Sequence, residues 1–100
     1  MKRVVLQSQA KAELNRARRW YNKRRQGLGQ ELLDEALAAL DRIERNNLIG
    51  LHYEDTHYRF YCLRRFPYVI YYECLPDRVR VIAIAHERRR PGYWKRRKPE

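Results

Sequence analysis

Tyr68-Val69-Ile70-Tyr71-Tyr72-Glu73-Cys74, followed after Pro76-Asp77 by Arg78-Val79-Arg80-Val81-Ile82-Ala83-Ile84-Ala85-His86, is the stretch that decides the fold. β-Branched and aromatic residues fill both runs, and the Pro-Asp pair between them is a turn signal. Two strands joined by so short a connection pair antiparallel. Val79, Val81, Ala83 and Ala85 are expected on one face of the second strand. Just upstream the same period of two sets Tyr58, Phe60 and Cys62 against Arg59, Tyr61 and Leu63, with a turn near Arg65-Phe66-Pro67.

Before residue 50 the period changes. Ala10, Leu14, Ala17 and Tyr21 recur at helical spacing, with Ser8 as the expected cap of a helix running to about Arg25. Gly27-Leu28-Gly29 interrupts it. From roughly Leu28 to Arg45 a second helix is expected, its apolar stripe made of Leu33, Ala36, Leu37, Leu40 and Ile43. Asn46-Asn47 and Gly50 end it and open a polar loop through Thr56. Val4, Val5 and Leu6 form a short strand ahead of both helices. The expected fold is α+β: an N-terminal strand, a two-helix hairpin packed on a mainly antiparallel four-stranded sheet, and a basic C-terminal tail. Residues 1–100 are expected to form one domain, with 91–100 as the tail.

Charge restricts the partner. Lys and Arg total 23 against 12 Asp and Glu, a net charge of +11 on 100 residues. The cations cluster at Arg16-Arg18-Arg19-Lys23-Arg24-Arg25, at Arg59 with Arg64-Arg65, and at Arg88-Arg89-Arg90 with Lys95-Arg96-Arg97-Lys98. Aromatic rings interleave with each cluster. Such surfaces suit nucleic acid, where cations meet phosphates and rings stack on bases, and suit an acidic protein groove equally well. The longest apolar run, Tyr68 to Tyr72, is far too short to cross a bilayer, so no membrane partner is expected. Residues 1 to 7 hold no apolar signal core, and the cytoplasm is the expected compartment. Cys62 and Cys74 read as reduced packing residues, since they would face each other only in a hairpin centred on Tyr68. A metal site would need His52, His57 or His86 to join them, and the spacing matches no zinc signature. Neither metal nor cofactor is expected.

Three features compete for a functional role. Gly27-Leu28-Gly29 lies between helices and lacks the further glycine and Lys-Ser/Thr of nucleotide loops, so it reads as a turn. His86, with Glu54 or Glu73 and with Arg59, Arg64, Arg65 or Arg88, contains the ingredients of metal-free RNA cleavage: an acid, a base and cations for the phosphate. A histidine at a strand end is more often simply exposed or hydrogen-bonded, and that reading carries greater weight. The first helix is unusual because Glu13 is the one acid among residues 1 to 30, and its basic face therefore reads as functional. In the tail, Tyr93 and Trp94 suit docking against the domain body, which would carry Arg96 and Arg97 to fixed positions.

Together these elements resemble the RelE/ParE superfamily of toxins from type II toxin–antitoxin modules, on its ParE-like branch. The resemblance rests on Ala12-Glu13-Leu14 with Trp20-Tyr21, on Gly27-Leu28-Gly29, and on Arg64-Arg65-Phe66-Pro67 running into Tyr68 to Tyr72. It continues through Val81 to His86 and on to Arg89, Arg90-Pro91, Trp94 and Arg97, with Arg90 where an Asp is common. The resemblance implies a cognate antitoxin with an acidic or amphipathic segment, met here by Arg16, Arg19, Trp20 and Lys23. ParE-like members are described as poisoning DNA gyrase without being enzymes. That implies a target surface drawn from Arg64, Arg65, Arg89, Arg90, Trp94, Arg96 and Arg97. RelE-like members cut messenger RNA on the ribosome with side chains on the sheet and near the C-terminus. In that alternative His86, Glu54, Arg65, Arg59 and Arg88 are the catalytic set. The loop Leu51 to Thr56 contains no lysine, which favours the ParE-like branch.

Overall fold

The computed structural model describes residues 2–100. Seven elements follow one another: β1 (Arg3–Leu6), α1 (Ser8–Arg24), α2 (Leu28–Arg45), β2 (Leu51–His52), β3 (Arg59–Cys62), β4 (Tyr68–Cys74) and β5 (Arg78–His86). The sheet order is β1-β5-β4-β3-β2, with β1 parallel to β5 and the other pairs antiparallel. The helical hairpin packs on one face, and among the described residues no helix is long and apolar enough to cross a membrane.

The α+β architecture follows the sequence pattern, with five strands instead of four. The added strand, β2, lies in the stretch that composition marks as a polar loop. It is held from its flanks: Arg59 donates to the Gly50 carbonyl at 2.7 Å, and the buried Tyr72 hydroxyl accepts the Gly50 N–H at 2.9 Å while donating to Asn47 at 2.8 Å. Hydropathy does not register a two-residue strand fixed by such distant donors.

Three local expectations shift. Ser8 is the first residue of α1 and not its cap. Gln7 occupies that position and turns its amide elsewhere, while the Glu100 carboxylate accepts both the Ser8 N–H and its hydroxyl at 3.0 Å. These bonds hold the Glu100 carboxyl below its usual range, as an anion at a helix N-terminus should be. The stripe of α2 is rotated: Leu32, Ala36, Ala39, Leu40 and Ile43 are buried, whereas Leu37 is 52% exposed. Cys62 is exposed and paired in register with Val69, so it is not a packing residue. Cys74 is half-buried and aligned with Val79.

The strand β5 also changes face midway. Tyr72 aligns with Val81 and Tyr71 with Ala83, leaving Ile82 as the extra residue of a bulge. Val79, Val81 and Ile84 consequently face the helices, while Ile82 and Ala83 turn to the opposite face. The expected row of Val79, Val81, Ala83 and Ala85 is broken there. The second face is not left to solvent. Trp94 from the tail lies on it, fully buried between Tyr53, Tyr58 and Tyr71 at ring-centroid distances of 5.2, 5.0 and 4.7 Å. The tail is thus a third layer.

Between the helices, Gly27 has φ of +89°, a conformation that glycine adopts without a steric penalty. Gly29 answers a different demand, since a Cβ there would lie 2.2 Å from the Arg18 carbonyl oxygen and 2.7 Å from Asn22 Oδ1. Its own N–H donates to that Asn22 oxygen at 2.7 Å. Gly29→Ala is therefore expected to cost about 1–3 kcal/mol by forcing the helices apart, and Gly27→Ala about 1 kcal/mol through its backbone alone. Denaturant unfolding separates the two, and equal losses would mean that helix contact does not set the cost at Gly29.

Candidate functional site

Where β1 stops at Leu6, β5 continues to His86, and its outer edge would be left bare. The Glu13 side chain fills that gap from α1. One carboxylate oxygen accepts the Ile84 N–H at 3.0 Å, and Arg97 donates to the Ile82 carbonyl at 3.0 Å. The same Arg97 grips Glu13 with both terminal nitrogens at 3.0 Å, and the Tyr93 hydroxyl donates to Glu13 as well. A carboxylate with only 5% side-chain exposure requires such a set of donors. Burial, and then the bond to Glu13, pushes the Tyr93 phenol far above its usual range, so it remains a donor.

A second buried network pins the same tail. Arg80 and Glu73 are direct cross-strand partners and form an ion pair with both side chains almost fully buried. Arg80 also donates to the Gln7 amide oxygen and to the Arg97 carbonyl. The His57 ring donates to the other Glu73 oxygen at 2.7 Å, and Gln7 donates to the Lys98 carbonyl at 3.1 Å.

Above Glu13 opens a cleft of about 410 Å³ between α1, the β4–β5 end and the segment after β5. Its walls are Arg16, Trp20, Tyr68, His86, Arg89 and Tyr93. Trp20 is 49% exposed and stands edge-on to Tyr21, with the Arg24 guanidinium 3.9 Å over its ring. Arg89 lies 3.9 Å over Tyr93. His86 stacks edgewise on Tyr68 at 5.3 Å and accepts the Arg88 N–H at Nδ1, which places the proton of the neutral ring on Nε2. Burial raises the Tyr68 and Tyr21 phenols above their usual range, so no phenolate forms in the cleft near neutral pH.

The residues singled out from the sequence divide between the two ends of the sheet. The Glu87 N–H donates to the Pro67 carbonyl at 2.8 Å, which sets the turn bearing Arg64-Arg65 beside Arg88-Arg89-Arg90. These five arginines are all exposed. Arg16, Arg19, Trp20 and Lys23 are exposed on the neighbouring helix. Glu54 and Arg59 sit at the other end. Arg59 aligns with Tyr72 and His86 with Tyr68, a separation of about 13 Å along β4 from strand rise alone. Glu54 pairs with Lys95 at 3.7 Å, and Arg59 is bonded to the Gly50 carbonyl. Arg65 is tied to Glu31 at 2.7 Å and faces a different cleft, on α2. The five residues of the ribonuclease reading therefore do not converge. Trp94, expected to dock, does so completely and presents no ring to a partner. Arg97 is likewise committed inward, whereas Arg96 is exposed.

Glu13, Arg80 and Gln7 carry the site without having been singled out as site residues, and Glu73, weighed as a catalytic partner of His86, is instead buried in the ion pair with Arg80. A signal existed for each ion pair. Glu13 falls between Ala10 and Ala17 in the apolar stripe of a basic helix, and Glu73 and Arg80 stand at equal distance from the Pro76-Asp77 turn. Opposite charges in apolar positions mark buried pairs.

Glu13→Ala is expected to cost about 3–5 kcal/mol, because it strands a buried guanidinium. Against a Trp20→Phe background, emission then reports Trp94 alone, and a red shift below the melting range would reveal the tail lifting first. An unshifted spectrum with a loss under about 1 kcal/mol would show that Glu13 does not hold the tail. The phenol of Tyr93 supplies a pH test. The unfolded chain gives up that proton near pH 10 and the folded chain does not, so stability is level below about pH 10 and falls above it. Tyr93→Phe should lessen the slope of that alkaline limb in denaturant titrations.

Comparison with known proteins agrees with this architecture. No curated protein sequence matches the chain. Nine solved chains match in structure. One of them, described as the chromosomal ParDE TA system from P. aeruginosa, superposes with a TM-score of 0.77 at 13% identity over 86% of this chain and 96% of that one. The model of the ParE toxin of the type II toxin–antitoxin system, parDE, matches residues 4–91, nearly all of the helical hairpin and sheet. The chain belongs to the ParE toxin family of type II toxin–antitoxin systems.

Proposed function

We propose that this chain arrests growth by binding DNA gyrase in the cytoplasm, and that a cognate antitoxin neutralises it through an acidic or amphipathic segment. No residue is catalytic on this reading, and neither cofactor nor metal takes part. The observation that supports it is the gathering of Arg64, Arg65, Arg89 and Arg90 at one end of the sheet, beside the basic face of α1. A patch with an excess of cations on a rigid scaffold steers and orients an acidic protein partner. Glu54 and Arg59 lie at the opposite end of the sheet from His86, which weighs against messenger RNA cleavage by that set, because acid, base and phosphate clamp must meet at one reacting centre.

Arg64, Arg65, Arg89 and Arg90 are the gyrase contacts, with Arg96 a further exposed cation of the tail. Trp94 and Arg97 support that surface by fixing the tail from which it projects. Arg16, Arg19, Trp20 and Lys23 meet the antitoxin along α1.

Plasmid supercoiling by gyrase, titrated with the purified protein, tests the proposal. Salt is raised until simple coating of DNA by a cationic protein no longer contributes. Inhibition with accumulation of cleaved DNA, reversed by antitoxin, is the expected result. Arg89→Glu with Arg90→Glu should weaken inhibition about tenfold or more, while His86→Ala should leave it intact. Arg19→Glu with Lys23→Glu should spare inhibition and weaken antitoxin rescue. Inhibition no greater than DNA coating, together with cleaved messenger RNA that depends on His86, would overturn the assignment.

A further inference from the structure

The cleft over Glu13 has a composition that protein binding does not require. Rings and cations alternate around it, with Trp20, Tyr68 and Tyr93 as aromatic walls and Arg16 and Arg89 as the flanking guanidiniums. Ala17, Ile84 and Ala85 make its base apolar. At about 410 Å³ it falls within the range of small-molecule sites. The one acid in it, Glu13, does not repel an anion. Its charge is matched by Arg97, and its oxygens are taken by Arg97, Tyr93 and the Ile84 N–H. The Tyr68 and Tyr93 phenols stay neutral for the reason given above, and the His86 Nε2–H adds a donor.

We infer that this cleft binds one unpaired nucleotide of a single-stranded nucleic acid. The base stacks against Trp20 and Tyr68, and its phosphate is held by Arg16 and Arg89. Stacking on an exposed ring is available to any base, and two guanidiniums give phosphate binding without sequence preference. The site shares Arg89 with the proposed gyrase surface and Arg16 and Trp20 with the proposed antitoxin surface, but it does not rest on either reading, because it is testable with a short oligonucleotide and the isolated chain alone.

The two tryptophans make the test direct, since Trp94 is buried under the tail and Trp20 is half-exposed at the cleft. A short oligothymidylate is titrated into the full chain at about 0.15 M salt, and Trp20 emission is followed. A sugar–phosphate oligomer of equal length without bases is the comparison. Saturable quenching at one oligomer per chain is expected, with the abasic oligomer binding about tenfold more weakly. Arg89→Gln and Trp20→Ala, the latter read by anisotropy of labelled oligomer, should each weaken binding about tenfold. Arg45→Gln, on the far end of α2, should change it by much less. Circular dichroism melts confirm that the variants fold, and the solvent-exposed Arg16→Gln serves as a second reading should Trp20→Ala fail to fold. An oligouridylate identifies the source: preference for thymidylate points to DNA and the reverse to RNA, and either supports the site. Equal affinity for the abasic oligomer, or equal loss in Arg45→Gln and Arg89→Gln, overturns the inference in favour of charge coating. Quenching of Trp20 by an acidic antitoxin peptide with none by the oligomers would overturn it too, and would leave the cleft as a protein-binding site.

Discussion

The structure depends on how one strand edge is satisfied. β5 is the longest strand and lies between β1 and β4, yet β1 covers only its first half. Beyond Val81 the N–H and carbonyl groups of β5 would lie in a nearly dry region, each costing more than a surface hydrogen bond returns. Glu13 takes the Ile84 N–H, and Arg97 donates to the Ile82 carbonyl. The two side chains neutralise each other as they do so. A carboxylate from the first helix and a guanidinium from the last residues thus stand in for a missing stretch of strand. Neither charge is tolerable at that depth without the other, so α1, β5 and the tail hold their relative positions as one unit.

Fixing the tail in this way solves a second problem. A sheet with helices on one face exposes the other, and in a small domain that face must be polar or covered. Here the bulge at Ile82 turns Ile82 and Ala83 outward beside Tyr71, which makes the outer face apolar. Trp94 covers it. The bulge, the aromatic tail and the Glu13–Arg97 pair are therefore mutually dependent. The bulge creates the apolar face, the pair delivers the chain to it, and Trp94 closes it.

The parts of this arrangement that were legible in the sequence are those set by local periodicity. The runs 68–74 and 78–86, the helical spacing of Ala10, Leu14 and Ala17, and the glycine turn between the helices all act over a few residues. Trp94 was legible as a docking residue because an indole in a basic tail is costly to leave in water. What was not legible acts at long range. The cap of α1 comes from Glu100, some ninety residues away, and β2 depends on Tyr72 and Arg59. The bulge reverses the faces of β5 in a run apolar on both sides, where alternation carries no information. For the candidate site, residue type marked the cations and rings correctly as a basic, aromatic surface. Their grouping was set by the strand register and by the Glu87–Pro67 bond, which no spacing in the sequence encodes.

The same constraint shapes the surface that a partner would meet. Residues 1 to 30 contain a single acid, and the fold consumes it. With Glu13 turned inward, the solvent face of α1 retains Arg16, Arg19 and Lys23 with no carboxylate of its own to moderate them. Arg97 and Arg80 are likewise consumed, but each against a buried glutamate, so the whole formal excess of positive charge is carried by the remaining residues. Beside the cleft, Arg89 adds to the cations of the helix, while Arg64 and Arg65 line a second cleft against α2. The need to seal one strand edge therefore leaves the solvent face of α1 with cations alone beside the cleft. The stabilising pair and the unbroken basic face of α1 are two consequences of where one glutamate was placed.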